Sequence, residues 1–349
     1  MTECFHSPIQ RDQAVLGCLL GTAVGDALGL PYEGLSRRRI AKLGTARHRL
    51  VLGRGMLSDD TEQSLMLAAA LCRHPDDLDE MQRDLGRQLQ WWLLALPAGV
   101  GLSTAKAIAR LWLGVPARKS GVRSAGNGAA MRSAIVGVIC SEDATQRRDV
   151  AIAACQVTHT DPRAEESAVL VAEAAACSVH GLSNGEAIGR LERHVVSDEM
   201  KSRWQRLKSG LKTEQSVMDF AVEIGCGTGV SGFAPNTVAV ALYAWLRHRR
   251  DFATTVRSVI ECGGDTDTVA SIAGGISGAE VGEEGIPQEW IEGICDWPRS
   301  VSHIRKVAFA VAKSSRKVPH APWPFVVLRN AFFLAVVLLH GLRRTLPPY

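Results

Sequence analysis

Several features that would each suggest a class are missing or scarce in this 349-residue chain. Its nine cysteines, at positions 4, 18, 72, 140, 155, 177, 226, 262 and 295, include no Cys-x-x-Cys pair. An odd, dispersed set in mostly apolar surroundings, with no secretory signal ahead of it, reads as reduced thiols packing as small core residues in the cytoplasm. Cys262 has no base near it in sequence and so reads as packing, not as a nucleophile. A basic stripe is missing too. Net charge is only +4, and the clusters at 37–39 and 247–250 are short and carry no interleaved aromatics, which speaks against a nucleic-acid partner.

Alternating runs of Val, Ile and Thr are nearly absent, which leaves little to build a sheet from and makes the fold class all-α. There is no Pro-, Gly- or Ser-rich linker, no low-complexity tract and no fixed-period repeat. One domain over 1–320 is therefore expected, although length alone would admit two. A spanning helix needs about 20 apolar residues. The nearest approach is 325–339, interrupted by Arg329 and Asn330 and followed by Arg343 and Arg344. The segment 321–349 is expected to form a hydrophobic C-terminal helix packed on the domain, with a peripheral membrane contact as the alternative.

What the chain does have is acid at helix starts. Cys262-Gly-Gly-Asp-Thr-Asp-Thr268 leads into the small, apolar run 269–279, which reads as a buried helix. Gly263 and Gly264 let the backbone turn sharply into it. Far upstream, Ser58-Asp59-Asp60-Thr61 stands in the same relation to the helix 62–71. If the fold joins these two starts, four carboxylates share one small space, and like charges so close call for divalent cations. Taken alone, Asp59 and Glu62 also fit a helix N-cap and its capping-box partner.

The run 13–29 places glycines at 17, 21, 25 and 29 on one helical face, and 269–279 offers a matching smooth face at Ala270, Gly274 and Gly278. Faces so bare suggest that the two helices pack on one another at the centre. Asp26 within the first reads as a hydrogen-bonded structural acid, and Glu33 as a loop acid. Residues 35–57 read as a connection, and Trp91 and Trp92, near the end of a helix over 76–96, as core. The glycine-dense loop around 120–132 could turn N–H groups toward a phosphate, but it lacks a Walker ending. Asp161 and Pro162 suit an N-cap and first helical position, which leaves His159 unexplained by capping.

Together, Gly17-Cys-Leu-Leu-Gly-Thr-Ala-Val-Gly-Asp-Ala-Leu-Gly29, Ser58-Asp-Asp-Thr61, Ser124-Ala-Gly-Asn-Gly-Ala-Ala-Met-Arg132, Thr158-His159 and Gly263-Gly-Asp-Thr-Asp-Thr268 resemble the ADP-ribosylglycohydrolase family. The resemblance covers about 13–280 and implies a compact, single-domain, orthogonal all-α bundle with two divalent cations, Mg2+ or Mn2+. Position by position, Ser58, Asp59, Asp60, Asp265, Asp267 and Thr268 match the family's metal ligands, and their oxygen donors suit hard cations. Ser124, Gly126, Asn127 and Gly128 match the diphosphate loop, His159 a residue beside the substrate, and Glu33 a mobile-loop acid serving as general acid, general base or gate.

The implied activity is metal-dependent removal of ADP-ribose from a protein side chain or a small O-linked conjugate. Cleavage falls at the anomeric carbon of the terminal ribose, through an oxocarbenium-like state. The alternative is an ADP-ribose-binding or toxin-neutralising protein that acts by occlusion. A monomer is expected. One departure matters: arginine-specific members carry an Asp in a Pro-Phe-Asp-Ile-Gly-like loop, whereas this chain reads Pro97-Ala-Gly-Val-Gly101. Gly99 stands where an acid would face a guanidinium, so arginine, serine, threonine and small-ester linkages all stay open.

Overall fold

The computed structural model describes residues 9–44 and 47–346, so Cys4 lies outside the described residues. Among them the regular elements are helices, and extended pairing is limited to isolated bridges. The two glycine faces meet. A Cβ on Gly17 would stand 2.1 Å from the Gly278 carbonyl oxygen, one on Gly21 2.1 Å from that of Gly274, and one on Gly25 2.0 Å from that of Ala270. No side chain fits at such distances, so the helices Arg11–Gly29 and Thr266–Val281 touch backbone to backbone. One series ascends while the other descends, so the helices run antiparallel. Gly29 therefore ends against Asp267, and Thr266 Oγ1 donates to the Gly29 carbonyl at 2.8 Å. The seam delivers the end of one helix to the acidic start of the other.

The helix Asp59–Arg73 is fastened to the same place by Asp26. That buried carboxylate accepts the Ser58 N–H at 2.9 Å, the Thr61 N–H at 3.2 Å and the Thr61 hydroxyl at 2.5 Å. It satisfies a helix N-terminus from outside the helix, as its structural reading required. The capping-box reading fails. Ser58 is the N-cap, its Oγ accepting from the Asp60 N–H at 3.2 Å, and Asp59 is already the first helical residue. Glu62 instead accepts from Trp92 Nε1 at 2.5 Å and from Arg299 Nη1 at 2.5 Å. A buried acid is better satisfied by two charged or polar donors from neighbouring elements than by its own helix end.

Two further expectations change. Residues 35–57 contain a short helix, Arg37–Leu43. Trp92 is core, but Trp91 is 55% exposed and meets Trp323 edge to face at 5.9 Å. The eight described cysteines are unpaired and seven are buried; burial pushes the Cys262 thiol up to about 12, consistent with packing.

The last helix, Trp323–Arg343, turns Val326, Arg329, Asn330 and Phe333 inward. Arg329 pairs with the buried Asp296, and Asn330 Nδ2 donates to the Ala95 carbonyl at 2.8 Å. Toward its end, His340 Nε2 lies 3.0 Å from the Pro31 carbonyl and Arg344 Nη2 donates to the Glu33 carbonyl at 2.8 Å.

Candidate active site

The glycine seam, the Asp26 clasp and the turn before Thr266 surround a cavity of about 330 Å³. Gly264 adopts φ +85°, and a Cβ there would stand 2.1 Å from the Val230 carbonyl oxygen, so only glycine makes this turn. Its backbone exchanges hydrogen bonds with the loop that bears Glu33: Gly34 N–H to the Gly264 carbonyl at 2.7 Å, and Gly264 N–H to that of Leu35 at 3.2 Å.

Ten of the twelve residues singled out above line the cavity: Glu33, Ser58, Asp59, Gly126, Asn127, Gly128, His159, Asp265, Asp267 and Thr268. Asp60 and Ser124 stand just behind. Asp60 accepts from Ser271 Oγ at 2.6 Å, Ser58 Oγ at 3.2 Å and Thr268 Oγ1 at 3.3 Å; the last bond joins the two acidic clusters directly. Ser124 Oγ accepts from Ser103 Oγ at 2.8 Å and from the Gly126 N–H at 3.2 Å. The Asn127 N–H donates to the Gly232 carbonyl at 3.0 Å. Two N–H groups of this loop are thus engaged within the protein.

Burial and then crowding set the electrostatics. The carboxyls of Asp59, Asp60 and Asp267 are held well above the usual carboxylate range. Burial is the first cause in each case. Asp26 and Glu62 add to it at Asp59, Asp59 and Asp26 at Asp60, and Glu33 and Asp265 at Asp267. Glu33 is also raised, by desolvation at the cavity rim and then by Asp265, against the opposing Arg344. Asp267 Oδ1 is buried with no hydrogen-bond partner, and an orphaned carboxylate oxygen is costly unless something meets it.

Carboxylates and hydroxyls without a thiolate are the donor set of a hard divalent cation. Among the described residues, no three His, Cys, Asp or Glu side chains already stand in a metal-holding arrangement. Asp60 is turned onto Ser271, and Asp265 Oδ2 accepts from Asn127 Nδ2 at 2.7 Å. The residues fit a cation by chemistry and by the orphaned oxygen, and its entry would exchange hydrogen bonds such as these.

Opposite the acids, His159 Nδ1 lies 2.8 Å from Thr158 Oγ1, which in turn accepts from Arg132 Nη2 at 2.6 Å. Arg132 is fully buried and donates also to Gln63 Oε1 at 2.8 Å and to the Gly128 carbonyl at 2.7 Å. Burial first, then the Arg132 charge, push His159 down to about 3, so its ring is neutral at ordinary pH. A Cβ on Gly126 or Gly128 would come within 3.2 or 3.1 Å of that ring. Sequence reasoning assigned no role to Arg132, although a lone arginine in a run of small residues was a visible signal. It also missed Phe333 and Val337, which close one side of the cavity. Nothing in the sequence links them to residues 300 positions earlier.

Fold and site together define an all-helical cleft enzyme whose reactive wall is built from carboxylates and hydroxyls. Comparison with known proteins makes this particular. The profile described as ADP-ribosylglycohydrolase matches residues 7–319, and the chain belongs to that family. An uncharacterized protein of Archaeoglobus fulgidus is 33% identical, over 80% of this chain and 90% of its own. The ADP-ribosyl-[dinitrogen reductase] glycohydrolase of Rhodospirillum rubrum is 28% identical, over 81% and 90%. A solved ADP-ribosylglycohydrolase-related protein complex is similar with a TM-score of 0.65 at 26% identity, covering 88% of this chain and 99% of that one. The protein is a hydrolase of ADP-ribose linkages, as the family resemblance led us to expect. The match stops at residue 319, before the last helix begins.

Proposed function

We propose that this enzyme releases ADP-ribose from a modified protein side chain with the help of two divalent cations, Mg2+ or Mn2+, held by Ser58, Asp59, Asp60, Asp265, Asp267 and Thr268. The observation that carries the reading is the meeting of two acidic clusters about 200 residues apart around one cavity, with the Asp267 oxygen left unpartnered. When bound, the cations supply the positive charge that lets these carboxylates ionise together and that polarises sugar hydroxyls and water.

The chain's own residues supply the rest. Asp26 holds the Ser58 turn in place. Arg132, through Thr158, orients a neutral His159 toward the bound nucleotide, and the open wall of Gly126 and Gly128 is where this reading puts the diphosphate. Hydrolysis breaks the bond between the anomeric carbon and the acceptor atom. A water oxygen bonds to that carbon and loses a proton, and the acceptor gains one. Glu33, with its carboxyl raised, is suited to hold the proton that the acceptor receives.

Gly99 offers no carboxylate to a guanidinium, and Phe333 and Val337 nearby are apolar, which favours a neutral, O-linked acceptor. The unpaired, buried cysteines support a reducing, cytoplasmic setting. The test is ADP-ribose release from peptides ADP-ribosylated on serine, threonine and arginine, with Mg2+, with Mn2+ and with chelator. Release that requires the cation and prefers an O-linked peptide is expected. Full activity in chelator would defeat the metal assignment, and no release from any peptide would defeat the reading as a whole.

A further inference from the structure

The last helix has a second face that the hydrolase does not use. Trp323–Arg343 is long and apolar enough to cross a bilayer, yet only 22% of its most apolar 18 residues are buried. Leu328, Phe332, Leu338 and Leu342 fall on its outward side and are each more than half exposed. Their spacing makes one continuous apolar strip roughly 20 Å long, at about 1.5 Å per residue. The strip has neighbours of its own kind. Leu52, fully exposed at the tip of a tight turn, shares a groove with Leu339, bordered by Arg49 and Arg343. At the other end stand two exposed aromatic pairs, Trp91 with Trp323 and Trp297 with Phe325 at 4.9 Å.

Charge decides what covers the strip. From Trp297 to the C-terminus there are nine of the chain's 40 Lys and Arg and none of its 36 Asp and Glu. The rest of the molecule is net acidic, and three of the nine, Arg299, Arg305 and Arg329, pair with its Glu62, Glu283 and Asp296; the other six give the segment that also carries the apolar strip its cation excess. A second copy would bring two such cationic segments together with no acid to receive them. A bilayer core is not the destination, because Arg329 on the inward face is spent on Asp296 and Glu62, and pulling the helix free would strand both buried acids. An apolar strip with interfacial tryptophans at one end and arginines at the other matches the boundary of an anionic membrane.

We propose that the outward face of Trp323–Arg343 docks the enzyme on an anionic phospholipid surface, lying in the plane of the interface. Phe333 and Val337 line the active-site cavity from this same helix, and His340 and Arg344 hold the Pro31 to Glu33 loop. Docking thus puts this helix between the lipid surface and the cavity, which lies behind it by one helix diameter, roughly 10 Å, near enough to meet a membrane-associated substrate.

The experiment is co-sedimentation of the full chain with vesicles of phosphatidylcholine alone and of phosphatidylcholine with about one third phosphatidylserine, at low and at raised salt. Uptake by the anionic vesicles, weakened by salt, is expected, together with quenching of tryptophan fluorescence by brominated phosphatidylcholine in the same vesicles. The double variant Leu338→Glu, Leu342→Glu changes only exposed positions and should keep the wild-type melting temperature. It should partition about tenfold more weakly or worse. Absence of sedimentation and quenching with both vesicles overturns the proposal, as does undiminished uptake of the folded double variant or equal uptake by neutral vesicles. A wild-type dimer that the double variant dissolves, without vesicle uptake, would assign the strip to a second copy instead.

Discussion

At the scale of single residues, the site is a set of charges held where charge is expensive. Asp267 shows it most clearly, buried, unpaired at Oδ1 and raised by its neighbours. A carboxyl raised in the folded state binds its proton more tightly than in the unfolded chain. Its contribution is fully present below the unfolded value and is lost as pH rises through the folded one. Chelated enzyme should therefore melt lower as pH rises above the ordinary carboxylate range, and added Mg2+ should offset that decline. Asp267→Asn should lose at least about a hundredfold in rate, yet melt higher than wild type in chelator at alkaline pH, by roughly 1–3 kcal/mol. A melting curve for the chelated variant no higher than wild type would contradict this account of crowding.

His159 predicts the opposite slope. Its folded value is depressed to about 3, so below about 6.5 the unfolded chain takes up a proton that the native ring refuses, and stability falls with falling pH. His159→Gln should shrink that acid-side loss by up to a few kcal/mol, roughly, in melts recorded across pH 4 to 7. Gly99 has φ +77° and nothing within 4 Å of an added Cβ. Gly99→Asp should fold at a cost of about 1 kcal/mol and raise release from arginine-linked peptides relative to serine-linked ones, measured as a ratio of kcat/KM.

At the scale of elements, the pair Arg11–Gly29 and Thr266–Val281 governs the rest. Because the seam is backbone against backbone, Gly21→Val has no rotamer to escape into. It should destabilise by at least about 3 kcal/mol or prevent folding. Gly185→Ala, in another helix with open space around it, should change stability by less than about 1 kcal/mol. Thermal denaturation of the two variants separates a demand of the seam from a general intolerance of glycine substitution. The repeat of glycine at every fourth residue was legible in the chain because only backbone contact explains so bare a face. The clasp by Asp26 was half legible: a buried acid had to be hydrogen-bonded, but its partners at Ser58 and Thr61 lie on another helix.

At the scale of the whole molecule, Arg329 ties the last helix to the body through Asp296 and reaches Glu62 at 3.5 Å. Arg329→Met should leave buried acid uncompensated and cost about 3–5 kcal/mol. It should also speed proteolytic cleavage in the 313–322 connection and raise KM as the wall formed by Phe333 and Val337 loosens. Limited proteolysis and steady-state kinetics of the same preparation check both effects. By itself, the amino-acid order determined the helical class, the two acid-bearing helix starts and the glycine faces. These depend on local periodicity and residue chemistry, which a chain carries wherever it is folded. Only the tertiary structure decided that Glu62 serves Trp92 and Arg299 and not its own helix end, that Arg132 stands behind His159, and that a helix some 300 residues from Glu33 walls the same cavity. Those are choices among partners distant in sequence, and burial makes them by requiring every enclosed polar group to find a donor or acceptor in the space around it.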